Sequence, residues 1–220
     1  MKYVQAAGKW VSLKFICHLL YLGVVLIRRT STITYEGPTH LLSRSAGRRV
    51  ILAFWHRDLA LMSTFWKISS VHVLTTLSTR GMMLGSVARK LGHRVTLIPE
   101  GNRTRYVGHV NQVLETAKGP VVIVVDGPLG PDHKVKHNVL KWARDHGRTI
   151  IPLGVTVARY REIQKRWDRL RIPGTFNKAH IRVGSPVIIP PGATTRELTS
   201  YRGNLEEQLV LLEQSSAEIP

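Results

Sequence analysis

The chain has 220 residues, 43% of them hydrophobic and 21% charged, which is typical of one folded domain and excludes a disordered chain. Its 32 Lys and Arg residues against 14 Asp and Glu give a formal net charge of +18, which favours a polyanionic partner such as nucleic acid, an acidic membrane or a phosphorylated substrate. The single cysteine, Cys17, excludes an internal disulfide and a cysteine-based zinc site, and it fits a reducing compartment.

The first predicted element is an apolar helix from Trp10 to Ile27, flanked on both sides by cations. It reaches only the lower limit for crossing a bilayer, and Lys14 would be costly at mid-depth. A pair of arginines follows where a signal peptide would have small residues. The pattern therefore favours a helix lying in the membrane interface, and residues 1–30 are predicted to form a membrane-associating segment. The alternative left open is an ordinary buried helix.

Beyond this helix, short runs rich in β-branched residues alternate with segments of helical length. The predicted strands are Arg49–Trp55, Val71–Leu77, Arg94–Pro99, Val121–Val125 and Thr149–Val157. The predicted helices are Met82–Gly92, His137–Gly147 and Thr194–Glu213, the last of which opens with a capping box. This alternation predicts a single α/β domain over residues 31–220, with a largely parallel mixed sheet flanked by helices.

Polar residues follow several of these strands, at the sheet edge where ligands bind in such folds. His56 comes just after a strand and Asp58 two residues later, so an imidazole able to take a proton at neutral pH lies near an acid in sequence. Asp126 ends the most apolar strand and begins a loop of Gly and Pro, which would hold the acid in place. These strand exits predict one wall of an active site.

A second basic loop follows the strand that ends at Pro99. Gly101 would let the backbone approach a ligand, and Arg103 and Arg105 are spaced to clamp a phosphate with charge-assisted hydrogen bonds. An ordinary solvated turn is the open alternative for this stretch.

The order of these blocks resembles the lysophospholipid/glycerol-phosphate acyltransferase superfamily, the group with a PlsC-type domain, and in particular its bacterial DUF374 branch. The blocks that carry the resemblance are Phe54-Trp55-His56, Asp126 to Pro131, Arg166 to Leu170, Ile172 to Phe176, Gly184 to Pro186 and Ile189-Pro190. They extend over nearly the whole chain, so the resemblance implies a glycerol-phosphate acyltransferase-like fold.

The resemblance implies transfer of an acyl chain from acyl-CoA or acyl-carrier protein, as co-substrate, to the hydroxyl of a lysophospholipid or glycerol phosphate. No cofactor or metal is implied. The general base would be His56, and the basic loop would bind the acceptor's phosphate. The implied site residues are His56 and Asp58 for catalysis and, for substrate binding, Gly101, Arg103, Arg105, Asp126, Gly127, Pro128 and Gly130. The implied partner is an anionic membrane, at the cytoplasmic face of the inner membrane.

The sequence departs from the family pattern in several places. The superfamily has an aspartate five positions after its histidine, where this chain has Leu61, and Leu129 replaces the arginine of the branch's Asp-Gly-Pro-Arg loop. Arg80 and Glu100 reverse the charges usual at two strand exits, which suggests an ion pair between them. These departures keep open a catalytically weak relative that binds anionic lipid or phosphate.

Charge alone also suggests a nucleic-acid-binding protein, from a different functional class. The low aromatic content of 7% and the lack of an RNA-binding aromatic signature or helix-turn-helix argue against it.

Metal catalysis is poorly supported, because the lysines within His133 to His137 would repel a cation. The acyl donor, the acceptor head group and the oligomeric state are left undetermined by the sequence.

Overall fold

The computed structural model describes residues 2–42, 49–99, 101 and 103–214, and the side chains of residues 2–12 and 103 lie outside that description. The helices are α1 (Lys2–Thr30), α2 (Leu59–Phe65), α3 (Thr79–Lys90), α4 (Arg103–Thr116), α5 (His137–Asp145) and α6 (Thr195–Gln214). The strands are β1 (Thr32–Glu36), β2 (Val50–Phe54), β3 (His72–Thr76), β4 (Arg94–Ile98), β5 (Val121–Val124), β6 (Thr149–Val157), β7 (Tyr160–Glu162), β8 (Arg171–Pro173) and β9 (Lys178–Val183).

The main sheet has seven strands in the order β1-β9-β6-β2-β5-β3-β4. Every neighbouring pair is parallel except β6 and β9, which run antiparallel. The strands β7 and β8 form a separate antiparallel pair outside this sheet. The predicted fold class, a largely parallel mixed sheet flanked by helices, is confirmed.

The central strand β2 is buried on both faces, because helices cover the sheet on each side. Ile51, Ala53 and Trp55 pack into a core with α4, α5 and α6. Leu52 and Phe54, which alternate with them, pack into a second core with α2. The period-2 alternation of strand side chains thus supplies both cores from one short run, as expected for a strand with no solvent-facing side.

The sequence did not predict the strands β1, β7, β8 and β9. Their positions include exposed and polar residues, so they lack the continuous apolar run that marks a buried strand. Along β1, for example, exposed and partly buried positions alternate, with none fully buried. The basic stretch after β4 also differs from the predicted loop, because α4 begins at Arg103 and takes up Arg105 in its first turn.

Helix α1 contacts both α2 and α3 and is fixed near its end by Arg28. The guanidinium of Arg28 donates to the backbone carbonyls of Thr64 and Trp66, at 2.8 Å each. Large apolar side chains of α1 are exposed, including Phe15, Leu19 and Leu26. Among the helices that the structure describes, none combines the length and the apolar character needed to span a bilayer.

Candidate active site

His56 begins a short 3₁₀ turn directly after β2, at the carboxyl edge of the parallel strands. Its ring Nδ1 lies 2.6 Å from Oδ2 of Asp168, and its side chain is 14% exposed. When Nδ1–H donates a hydrogen bond to Asp168, the other ring nitrogen, Nε2, is left with a lone pair that can accept a proton from a substrate. The pair therefore has the geometry of an oriented general base.

Asp168 lies in the segment between β7 and β8, 112 residues from His56 in sequence. Arg166 donates from Nε and Nη2 to its two carboxylate oxygens, at 2.7 Å each. The Asp168 side chain is fully buried, and burial raises the pKa of a carboxyl group. The hydrogen bonds from Arg166 and His56 outweigh this burial and hold the pKa of Asp168 below its ordinary value. Asp168 is therefore an anion beside the imidazole at neutral pH.

Asp126 follows β5 and holds the backbone of the histidine. Its Oδ1 accepts a hydrogen bond from the His56 N–H at 2.9 Å, so the two strand exits meet at one edge of the sheet. The side chain is fully buried, and its Oδ2 has no hydrogen-bond partner among the described residues. Burial raises the pKa of Asp126 to about 7 despite the hydrogen bond from His56. The contact fixes the His56 backbone, while Asp168 fixes its ring.

The loop after Asp126 packs against the segment that carries Asp168. A Cβ placed on Gly130 would lie 2.6 Å from the Trp167 ring, so this position has room only for glycine. The Trp167 ring in turn lies 5.4 Å from the His56 ring, centroid to centroid. Lys136 donates to the Gly130 carbonyl from the other side. Gly127 and Pro128 belong to the same loop, and Leu129 at its tip is 88% exposed.

Asp58 does not take the position predicted for it beside the imidazole, where Asp168 lies instead. The Asp58 side chain is buried, and its Oδ1 lies 3.3 Å from Nη1 of Arg171. Burial raises the pKa of Asp58 to about 7, even with that guanidinium beside it. Glu213 from α6 binds the same arginine at 2.6 Å, which places Asp58 in a structural ion-pair network.

The predicted phosphate-binding residues lie at a distance from this pair. Gly101, Arg103 and Arg105 follow β4, which is three strands away from β2 in the sheet. At the usual spacing between strands this is roughly 14 Å. The Arg105 side chain is exposed, and that of Arg103 lies outside the described residues. The proposed Arg80–Glu100 ion pair also lies outside the description, because Glu100 is not part of it.

An apolar cavity of about 50 Å³ lies on the α2–α3 face of the sheet. Phe54 and Leu59, which bracket His56 in sequence, are among the side chains that line it. Met62 of α2 and Val87 of α3 also line the cavity. In the part of the chain that the structure describes, no group of three or more His, Cys, Asp or Glu side chains could hold a metal ion.

No family model matches the sequence. An uncharacterised protein of Rickettsia prowazekii, RP090, is 32% identical over 168 residues, which cover 76% of this chain and 74% of that protein. The crystal structure of the 1-acyl-sn-glycerophosphate acyltransferase PlsC from Thermotoga maritima superposes with a TM-score of 0.54 at 17% sequence identity, covering 96% of this chain and 83% of that one.

Proposed function

Because this chain belongs to the same family as the Rickettsia prowazekii protein RP090 and has the fold of the acyltransferase PlsC, we propose that it is an acyltransferase. The acyl donor is an acyl thioester, carried by coenzyme A or acyl-carrier protein. The acceptor is the hydroxyl of a lysophospholipid or a glycerol-phosphate-type molecule. The observation that carries the proposal is the pair of His56 and the buried Asp168, joined at 2.6 Å on the sheet edge where ligands bind in such folds.

In the proposed reaction, Nε2 of His56 takes the proton of the acceptor hydroxyl as its oxygen attacks the thioester carbonyl. The new C–O bond forms, the C–S bond breaks, and the imidazolium returns the proton to the leaving sulfur. A thioester is already activated, so the protein supplies a base and correct positioning and forms no covalent intermediate. Asp168 keeps the productive tautomer and stabilises the transient imidazolium, because its carboxylate is charged and fully buried.

Asp126 contributes through the backbone, since its Oδ1 holds the N–H of His56. The glycines on either side of Pro128 let the loop turn sharply without large side chains that would cover the imidazole. The apolar cavity beside Phe54 is proposed to receive the first part of the acyl chain, and a longer chain would require α2 and α3 to move apart.

We assign the acceptor's phosphate to the basic start of α4, at Gly101, Arg103 and Arg105. Backbone N–H groups at a helix N-terminus favour an anion, and nearby arginines would add charge-assisted hydrogen bonds. Substitution of Arg105 should then raise the KM for phosphate-bearing acceptors and leave the KM for the thioester unchanged.

The protein is proposed to work at an anionic membrane, at its cytoplasmic face. The exposed Phe15, Leu19 and Leu26 of α1 support this position, and the net charge of +18 would attract anionic lipid. The free thiol of Cys17 fits a reducing compartment.

The test is a purified-protein assay of thiol release from labelled acyl-CoA and acyl-carrier protein, with a panel of lysophospholipids and glycerol 3-phosphate. Turnover is expected in the parent and should fall by at least roughly 100-fold in His56→Ala, the lower range for losing a general base. His146→Ala is the matched control, because His146 caps α5 and bonds to Asn111 away from the site. Undiminished turnover in His56→Ala would reject the proposed base, and lipid binding without turnover in the parent would favour the catalytically weak relative.

A further inference from the structure

The segment that supplies Asp168 has an unusual outer surface. We call residues 158–178 the β7–β8 arm, because this segment contains both strands of the separate two-stranded sheet. Its exposed large apolar side chains are Tyr160, Ile163, Trp167, Ile172 and Phe176, the last of them 71% exposed. Single exposed apolar residues are common on protein surfaces, but a group within one short segment marks an interaction site.

The exposed charges of the arm are all positive. The exposed cations are Arg159, Arg161, Lys165, Arg169 and Lys178. Its acidic side chains, Glu162 and Asp168, are instead turned toward the protein, where Glu162 lies 3.4 Å from Arg57. Aromatic and aliphatic side chains interleaved with cations are the composition of surfaces that enter the head-group region of an anionic bilayer.

The arm is held firmly at its base, so its outer surface is presented as one unit. The Asn177 side chain bonds to both backbone groups of Arg159, which closes the base of the arm. Arg171 ties β8 to Glu213 of α6 at 2.6 Å. An arm held in this way loses little conformational freedom when it binds a surface, which favours binding.

The arm is also continuous with the end of α1. The Phe176 N–H donates to Oγ1 of Thr30 at 3.2 Å, and the Asn177 N–H donates to Oγ of Ser31 at 3.1 Å. The exposed Leu26 lies one turn before Thr30 on α1. The exposed Phe176 of the arm therefore lies beside the end of α1 that carries Leu26.

We propose that the β7–β8 arm is a second lipid-docking element, which binds the surface of an anionic bilayer beside α1. Ile163 and Lys165 of the arm are exposed, while its Asp168 is buried against the imidazole. Docking therefore places the mouth of the candidate site at the bilayer surface, where an amphiphilic acceptor would enter. The docking itself does not depend on acyl transfer and is tested separately from it.

The first test measures binding of the full-length protein to vesicles that contain anionic phospholipid. Arg161→Gln with Lys165→Gln should lower the binding constant roughly 30-fold, because two cations near an anionic surface are removed. Lys118→Gln with Lys141→Gln is the matched control, since it removes two exposed cations elsewhere and should have a much smaller effect. Ile163→Ser with Phe176→Ser should weaken binding roughly tenfold. Circular dichroism melts of each variant verify that the arm changes have not unfolded the protein.

The second test locates the contact by tryptophan fluorescence with brominated lipids. Trp55, Trp66 and Trp142 are buried, while Trp167 on the arm is 38% exposed. In a Trp10→Phe background, vesicle binding should bring bromine atoms close enough to quench Trp167, and a further Trp167→Phe change should remove this quenching. Unquenched Trp167 in the bound protein, or arm variants that bind as tightly as the parent, would overturn the proposal. The proposal would also be overturned if only α1 substitutions, such as Phe15→Ser, weakened vesicle binding.

Discussion

Replacing Asp168 with asparagine preserves the shape of the buried carboxylate and removes its charge. Two consequences follow from the geometry, because Asp168 accepts from His56 at 2.6 Å and from Arg166 twice at 2.7 Å. The imidazolium formed during proton transfer loses its counter-ion, and the amide offers a single oxygen in place of two acceptors. We expect kcat to fall by roughly 10² to 10⁴, the range typical of general-base catalysis.

The assay is thiol release under saturating acyl thioester, with kcat and KM determined separately. Asp58→Asn is the matched control, since it also removes one buried carboxylate near β2 but breaks an ion pair with Arg171 rather than the contact with the imidazole. Asp58→Asn should change the free energy of unfolding. Its kcat should stay within about tenfold of the parent's, because the Asp58 carboxylate touches no reacting group. Equal kcat in Asp168→Asn and the parent would refute the role of Asp168.

Stability should respond to the same substitution in a pH-dependent way. The pKa of Asp168 is below its ordinary value, so its contacts stabilise the fold above the ordinary carboxyl pKa, and this stability is lost as the pH falls through the lowered pKa. The difference in unfolding free energy between parent and Asp168→Asn should therefore shrink at acid pH. Urea unfolding at several pH values measures it.

Three further predictions concern positions around the site. Asp126→Asn keeps an oxygen that can accept from the His56 N–H and removes a carboxyl group whose pKa burial raises to about 7. Relative to the parent, the variant should therefore gain stability as the pH rises toward 8. A pH-independent difference between the two urea midpoints would contradict this. Gly130→Ala should cost roughly 1–3 kcal/mol in chemical denaturation, because the new Cβ meets an aromatic ring and the backbone φ is 63°; an unchanged midpoint would count against that packing. Leu61→Asp places an acid where the acyltransferase superfamily that the sequence resembles has its aspartate. Because Leu61 is fully buried, we expect a loss of several kcal/mol of stability in thermal melts, and no recovery of turnover when the change is added to Asp168→Asn. Restored turnover would show that the site tolerates either arrangement.

The fold could be predicted from the sequence because its central strands are buried on both faces. Strands such as β2 and β6 are runs rich in Val, Ile and Leu between turns, and this pattern can be recognised without knowing which strands lie beside them. The edge strand β1 and the paired strands β7 and β8 have mixed polarity, and their pairing depends on segments far along the chain. Local patterns carry no information about such pairings.

The site was predictable to the same extent as the strands that form it. His56 and Asp126 both follow central parallel strands, so topology alone brings them to one edge of the sheet. Asp168 lies in an irregular segment, and its burial depends on Arg166 beside it and on the distant imidazole. The sequence signal for Asp168 is the block Arg166-Trp167-Asp168, which contributes to the resemblance to a family but indicates no role for the aspartate.

Sequence proximity was misleading at Asp58 for a reason that the structure makes explicit. The 3₁₀ turn after β2 directs the Asp58 side chain toward Arg171, while Leu61 on the following helix enters the core. With an apolar residue fixed at that position, an acid could reach the imidazole only from another part of the chain. The arm supplies it through Asp168. What the proposed chemistry requires is therefore the placement of a carboxylate at Nδ1, and different segments of one fold can meet that requirement.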